Sequence, residues 1–404
     1  MAPTLAPTLA PEAGARKFGV TSIPFSEESM PPTGRPGPEP SSTATPPGDQ
    51  GRLDELVELG FVSSHVEPLE VEANWLGDRF ALALERPGMG TRIGISVRSD
   101  GPSRAEDAAH GAFELMDRFT ALLNRYDTDS ALSALNDRGA LVDAPPALVE
   151  VVDRALAAGQ WTSGAFDPTV APLVDLFGGG VPRVPTNDLA AAWAHAPTVR
   201  PVALTAPDPA DLQAALALVG AERVRRDGSR IAFEREGMKL TLDGVAKGWI
   251  VDAMAASVEN AGISDFLIDA GGDIRAAGRP EPGRPWTVAV QDPQKQDRWP
   301  DVIGLFRGAI ATSGSYEFYF DPERTRHHIV AGPRGVSPVE ASSVTVTAPE
   351  AATADALATA VFVLGPTAGL RLIEATARCE CLLIAPDGAR HTSTGWSALS
   401  LEGR

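Results

Sequence analysis

The chain has 404 residues, of which 43% are hydrophobic and 22% charged, with 53 acidic against 35 basic side chains and a formal net charge of −18. That length fits one large domain or two ordinary ones. The acidic balance excludes broad binding to nucleic acid or to an anionic membrane, since both need clustered Lys and Arg, and no run approaches the roughly 18 apolar residues of a transmembrane segment.

The N-terminal stretch MAPTLAPTLAPEAGARK lacks the basic start and apolar core of a secretion signal. With only two cysteines, Cys379 and Cys381 in one C-x-C, the chain reads as cytoplasmic with reduced thiols. Eleven of the 35 prolines lie in residues 1–50. Such a stretch buries too little apolar surface to fold, so residues 1–51 read as a disordered tail and 52–404 as the folded domain.

FALALERPGMGTRIGISVRS reads as strand, turn and strand, with period-two alternation in TRIGISV. AEDAAHGAFELMDRFTALLNRY carries Phe113, Met116, Phe119, Leu122 and Leu123 at helical spacing. PPALVEVVDRALAAGQWT predicts a second helix with Pro at its start. GGGVPRVPTND reads as a loop, and DPADLQAALALVG as a helix with an Asp cap and a Gly stop. RIAFEREGMKLTL has the pattern of a β-hairpin, and VAKGWIVDAMAASVENAG that of a helix ending at Gly262. DFLIDAGG, WTVAVQD, VIGLFRGAIATSG, HHIVAG, SVTVTA and CECLLIAPDG follow as strands with their turns. No regular βαβ repeat appears, so the expected class is α+β, a mixed β-sheet core with flanking helices.

The common nucleotide and hydrolase fingerprints are absent. Five segments carry chemistry-bearing side chains, three of them with two readings. DGVAKG places Asp243 and Lys247 among small residues at a helix start: a tight turn, or an anion site on helix N–H groups. GAFDPTVAPLVDLFG sets Asp167 before Pro: an Asx turn, or a ligand contact. AGGDIRAAG and ATSGSYEFY read as Gly turns after strands. TADALATAVFVLG carries Asp355 and Thr359 four apart on one helix face. Either Thr353 caps the helix and Thr359 bonds a carbonyl one turn back, or Asp355 and Thr359 supply hard oxygen donors for Mg²⁺ or Ca²⁺.

The order of the motifs narrows these alternatives. MGT (89–91), NRYDTDSALSALN (124–136), GAFDPTVAPLVDLFG (164–178), LDGVAKGWIVD (242–252), AGGDIRAAG (270–278), ATSGSY (311–316), HHI (327–329) and SVTVTAPEAATADALATAVFVLG (343–365) together resemble the FAD:protein FMN transferases, the ApbE family. The resemblance implies an ApbE-like fold and an Mg²⁺-dependent enzyme. Such an enzyme cleaves FAD, attaches FMN by a phosphoester to a threonine of an acceptor flavoprotein, and releases AMP. Two further outcomes compete with it: a FAD diphosphatase giving FMN and AMP, and a flavin-binding protein without catalysis.

Carried over residue by residue, the resemblance places Tyr126 against the flavin nucleotide and Ala165, Phe166 and Asp167 at the FAD contact. It makes Asp355 and Thr359 metal-binding side chains. Gly244 and Ala358 lie beside the ion and can offer only backbone carbonyls. Lys247 matches a FAD-contacting cation, Met89 a residue that packs on a ring, and His328 the histidine of the H-I strand, a base or phosphate donor near the FAD contact at Val330. Where the family reads D-L-G-G-x-A-K-G, this chain has TLDGVAKG, so Thr241 stands at the first acidic position and Asp243 is expected to substitute from the same strand face. The segment after His328 reads HIVAGPRGVSP, without the family's Asp-Pro.

Overall fold

A computed structural model describes residues 21–22, 68–177, 207–294, 299–315, 319–320, 327–328 and 338–401. The boundary expected near residue 51 and the GGGVPRVPTND loop lie outside the described residues. Nine strands form the central sheet: β1 (Leu69–Leu76), β2 (Arg79–Gly88), β3 (Thr91–Ser99), β4 (Asp265–Ala270), β5 (Asp273–Ala277), β6 (Arg307–Gly314), β7 (Ser343–Ala348), β8 (Glu380–Ile384) and β9 (Arg390–Thr392). Their order across the sheet is their order in the chain.

The expected α+β class forms, and the structure is more specific on strand direction. Where the pattern predicts a mixed sheet, every strand pair among the described residues is antiparallel. The local cause is visible at two turns. Met89 and Gly90 both have positive φ (50° and 73°) between the paired Gly88 and Thr91. Gly271 and Gly272 do the same (65° and 107°) between Ala270 and Asp273. Two-residue loops with both residues at positive φ join antiparallel strands, and glycine supplies that conformation without strain.

Both faces of this sheet are covered. On one face pack α1 (Pro102–Leu123), α6 (Ala246–Asn260) and α7 (Ala351–Glu374); α2 (Ala131–Arg138) and α3 (Pro146–Trp161) join the same core, while α4 (Ala171–Phe177) and α5 (Pro209–Leu216) pack on each other in a separate small cluster. The other face carries a small sheet of Thr21–Ser22, Trp286–Val290 and Asp301–Leu305. In β4, Phe266 and Ile268 join the helical core while Leu267 faces the small sheet. Period-two alternation thus feeds two cores instead of one core and solvent.

One local expectation needs correction. RIAFEREGMKLTL is not one hairpin: Arg230–Phe233 pairs back with Val224–Asp227 and with Ala140–Leu141. The following segment is held by the Asn136 side chain, which donates to the Leu240 carbonyl (2.9 Å) and accepts from the Leu240 N–H (2.8 Å). One amide side chain therefore takes the place of a strand partner. VIGLFRGAIATSG splits at Phe306 into a strand of the small sheet and β6.

Helix α7 is long and apolar enough to cross a membrane by composition alone. Here Leu357, Val361 and Phe362 are fully buried against β6, β7 and β8, as in a core helix. It also breaks at Gly365 (φ 72°, ψ −177°), just before Pro366. Thr353 does not cap it; Ala351 opens the helix, and Glu350 stands at the cap position with no side-chain capping bond.

Candidate active site

The site elements meet at one end of the sheet, where the Gly271–Gly272 turn, the start of β5 and the end of β6 face the first turns of α6 and α7. Asp355 lies inside α7's first two turns and is 6% exposed. Its Oδ2 accepts the N–H of Gly248 in the first turn of α6 (3.2 Å). Burial, and then the charge of Asp273, push its carboxyl well above the ordinary carboxylate range, while Lys247 opposes them. Lys247 reaches Asp273, itself 2% exposed, with Nζ 3.5 Å from Oδ2.

Thr359, one turn beyond Asp355, places its hydroxyl 3.4 Å from that of Ser313 on β6. Gly244 packs against the same hydroxyl. A Cβ there would stand 2.9 Å from Thr359 Oγ1 and 3.1 Å from Phe166 Cε2. The absence of a side chain thus brings this stretch of backbone to Thr359. Ala358 is fully buried in the α7 core, so its methyl only packs.

Asp355, Thr359 and the Gly244 backbone form a hard-oxygen set with one carboxylate. This suits Mg²⁺, which commonly takes one or two protein carboxylates and completes its shell with water and substrate phosphate. The buried, charge-raised Asp355 carboxyl supports the fit, because a divalent cation would stabilise its ionised form. Among the described residues no cluster of three His, Cys, Asp or Glu side chains is placed to bind a metal by itself.

Asp269 on β4 completes the acidic surroundings. Burial, offset by the Gly272 N–H (3.1 Å) and Lys247 and reinforced by Asp273, raises its carboxyl to about 7. Its proton is held more tightly in the folded chain than in the unfolded one. Its stabilising contribution is therefore complete below about pH 4 and fades as pH rises towards 7. Asp269→Asn is expected to raise the melting temperature at pH 8 relative to the parent and to narrow that difference as pH falls to 4. Parallel thermal melts across this range measure it; a constant difference would contradict the assignment.

Tyr126, Arg125 and Phe166 lie beside the Asp243–Gly244 turn. Tyr126 donates from its hydroxyl to Asp243 Oδ2 (3.3 Å), and the Arg125 guanidinium lies 5.1 Å from the Tyr126 ring. Arg125, 7% exposed, also pairs with Asp175 and lies 3.8 Å from Asp243. The Asp243 charge, then burial, raise the Tyr126 phenol above its ordinary range. Ala165 and Phe166 are buried, and the Phe166 N–H donates to Thr162 Oγ1 (3.1 Å).

Asp167 forms the Asx turn. Its carboxylate caps the short helix Pro168–Val170 by accepting from the Thr169 N–H (2.8 Å) and hydroxyl (2.6 Å). Met89 sits in the hairpin turn and packs on the helical core. His328 pairs with Tyr319 in a two-stranded ribbon, and Val330 lies outside the described residues.

The expectation that Thr241 and Asp243 share a strand face is corrected. The segment turns: the Asp243 N–H donates to Thr241 Oγ1 (3.3 Å), Thr241 is 8% exposed, and the Asp243 side chain is 52% exposed. A hydroxyl that bonds the backbone two residues on favours a turn over a strand. Asp243 consequently reaches Tyr126 and Arg125 instead of standing beside Thr241.

Residues unmarked by the sequence reading also shape the site. Ser130 caps α2 by accepting from Ser133 N–H (3.0 Å), and the Ser133 hydroxyl donates to the Arg125 carbonyl (3.1 Å). Thus NRYDTDSALSALN sets the Tyr126 turn at one end and holds Leu240 through Asn136 at the other. Asp269 and Asp273 lie in DFLIDAGG and AGGDIRAAG, but their burial beside Lys247 comes from strands and a helix that only the fold brings together.

A buried carboxylate, a threonine hydroxyl and a cation at a helix start define a site suited to metal-assisted chemistry on phosphate groups. The ApbE family model matches residues 89–383, and the chain belongs to this family. FAD:protein FMN transferase from Salmonella typhimurium is 33% identical over 294 residues, covering 70% of this chain and 79% of the relative. The Vibrio cholerae FAD:protein FMN transferase is 29% identical over 313 residues, covering 75% and 87%. The flavin transferase ApbE structure from Vibrio cholerae superposes with a TM-score of 0.67 at 26% identity, covering 80% of this chain and 99% of that one. The ApbE protein of Thermotoga maritima gives 0.69 at 28% identity, covering 80% and 100%.

Proposed function

We propose that this chain is an Mg²⁺-dependent FAD:protein FMN transferase whose acceptor is a threonine of a flavoprotein. The observation that carries the reading is the meeting of Asp355, Thr359 and the Gly244 backbone beside Lys247, in a chain of the ApbE family. In the proposed reaction the threonine oxygen forms a bond to the FMN-side phosphorus of FAD. The bond from that phosphorus to the bridging oxygen breaks, and AMP leaves with the electron pair.

Bound Mg²⁺ would neutralise pyrophosphate charge as the in-line transfer proceeds. Asp355 and Thr359 would hold it, with the carbonyls of Gly244 and Ala358. Lys247 places a second positive charge at the start of α6, where helix N–H groups also favour an anion. Tyr126, Phe166 and Met89 supply aromatic and thioether surface for the flavin nucleotide. His328 is assigned as the group that takes the threonine proton.

Incubation with FAD, Mg²⁺ and an acceptor flavoprotein tests the reading. AMP and a flavin-labelled acceptor, lost when the acceptor threonine becomes alanine, are expected. FMN and AMP without labelling would mean hydrolysis, and unconsumed FAD would mean binding alone. Asp243→Ala is expected to weaken FAD binding, because it frees the Tyr126 hydroxyl and removes a partner of Arg125. Fluorescence titration with FAD measures this, and unchanged affinity would remove Asp243 from the site.

A further inference from the structure

Helices α6 and α7 hold each other through a reciprocal pair of carboxylates. Asp355 of α7 accepts the Gly248 N–H in the first turn of α6 (3.2 Å). Asp252 of α6 accepts the first two N–H groups of α7, Ala351 to Oδ1 and Ala352 to Oδ2, at 2.9 Å each. Each carboxylate lies four residues beyond the point where its own helix meets the other. An α-helix leaves its first N–H groups without internal partners, and its N-terminus favours negative charge. Each helix therefore receives its capping carboxyl group from its neighbour.

The crossing is close. A Cβ on Gly248 would stand 2.6 Å from the Ala351 carbonyl carbon and 2.8 Å from the Ala352 nitrogen. Arg275 on β5 steadies Asp252 from the sheet side, with Nε 3.4 Å from Oδ1. Only one member of the pair, Asp355, belongs to the proposed cation site. The other, Asp252, holds the Ala351 and Ala352 amides and pairs with Arg275.

We propose that Asp252 is a positioning residue: by anchoring the first turn of α7 on α6, it sets the register in which Asp355 and Thr359 meet Gly244. The assignment rests on the reading of Asp355 and Thr359 as cation donors. Its effect reaches the site through α7, whose first turn is fixed at Ala351 and Ala352 and whose second carries Asp355. Asparagine at 252 keeps the shape but replaces one acceptor oxygen by a donor, so it can accept only one of the two amides. Alanine accepts neither.

Amide hydrogen exchange at single-residue resolution tests the positioning on the full chain without metal. In Asp252→Asn the expected result is faster exchange at Ala351 and Ala352 and, decisively, about tenfold faster exchange at Gly248, an amide that Asp252 does not touch. Faster exchange confined to Ala351 and Ala352 would show a local cap only and overturn the proposal. Mn²⁺ titration of the folded variants adds a second readout. Asp252→Asn is expected to weaken binding about tenfold, the usual scale for loss of a group that orients a metal ligand, and Asp252→Ala further. Asp252→Asn with parental affinity, while Asp355→Ala has lost binding, overturns the proposal. Parental affinity in Asp355→Ala instead overturns the cation assignment and leaves the exchange result to decide Asp252.

Discussion

Replacing Asp355 by asparagine is expected to remove Mg²⁺-dependent turnover by at least about a hundredfold while the protein stays folded. Loss of a group that merely orients a metal ligand costs about ten- to a hundredfold, and Asp355 is the sole carboxylate assigned to the ion itself. The fold has less to lose. Asp355 is desolvated and faces Asp273, so its ionised form is a local liability in the metal-free chain. Asparagine retains a side-chain oxygen for the Gly248 N–H. The expected melting temperature without metal therefore equals or exceeds that of the parent, while Mg²⁺ no longer raises it. AMP release against Mg²⁺ concentration and thermal melts with and without Mg²⁺ check both halves. Undiminished turnover with the parental Mg²⁺ response would sink the metal assignment.

Gly248→Ala is expected to destabilise the protein and abolish activity together. In an open helix alanine would gain roughly 1 kcal/mol over glycine. Here the new methyl would overlap the α7 backbone at Ala351 and Ala352, which cannot rotate away as a side-chain tip would. Overpacking in a tight contact costs about 1–3 kcal/mol and sometimes more, so the clash outweighs the propensity gain. Separation of the two helices also pulls Asp355 from the Gly248 N–H and Thr359 from Gly244. Urea unfolding and FAD turnover measure the two effects. A variant as stable and active as the parent would show that the helices do not cross this closely in solution.

Much of the fold was legible because its strands and helices carry strong periodicity. The helix of Phe113 and Met116, the β2–β3 hairpin and the strands from Asp265 onward all follow local pattern. The sequence misled where tertiary partners replaced local ones. KLTL has the composition of a strand, but Asn136 satisfies Leu240 in place of one. Thr241 and Asp243 have strand spacing, but a hydroxyl bond turns the chain between them.

At the site, the order of motifs pointed to Asp355, Thr359, Gly244 and Lys247, and the fold brings them to one place. Asp167 forms the Asx turn that its place before proline suggests. Asp252 and Asp273 went unmarked because a carboxylate's role depends on which amide or ammonium group faces it. Those partners lie on elements distant in sequence.

The chain-order sheet has a consequence for when this protein becomes an enzyme. Each strand can be laid beside its predecessor as the chain lengthens, so much of the sheet does not await the C-terminus. The site does: Gly248 and Asp355 are 107 residues apart, and closing a chain segment of that size costs roughly 4 kcal/mol of entropy. A nascent chain that has completed α6 but not α7 owns the lysine and the glycine turn without the aspartate or the threonine. The proposed chemistry is thereby withheld from partial chains and arrives only when α7 closes on α6.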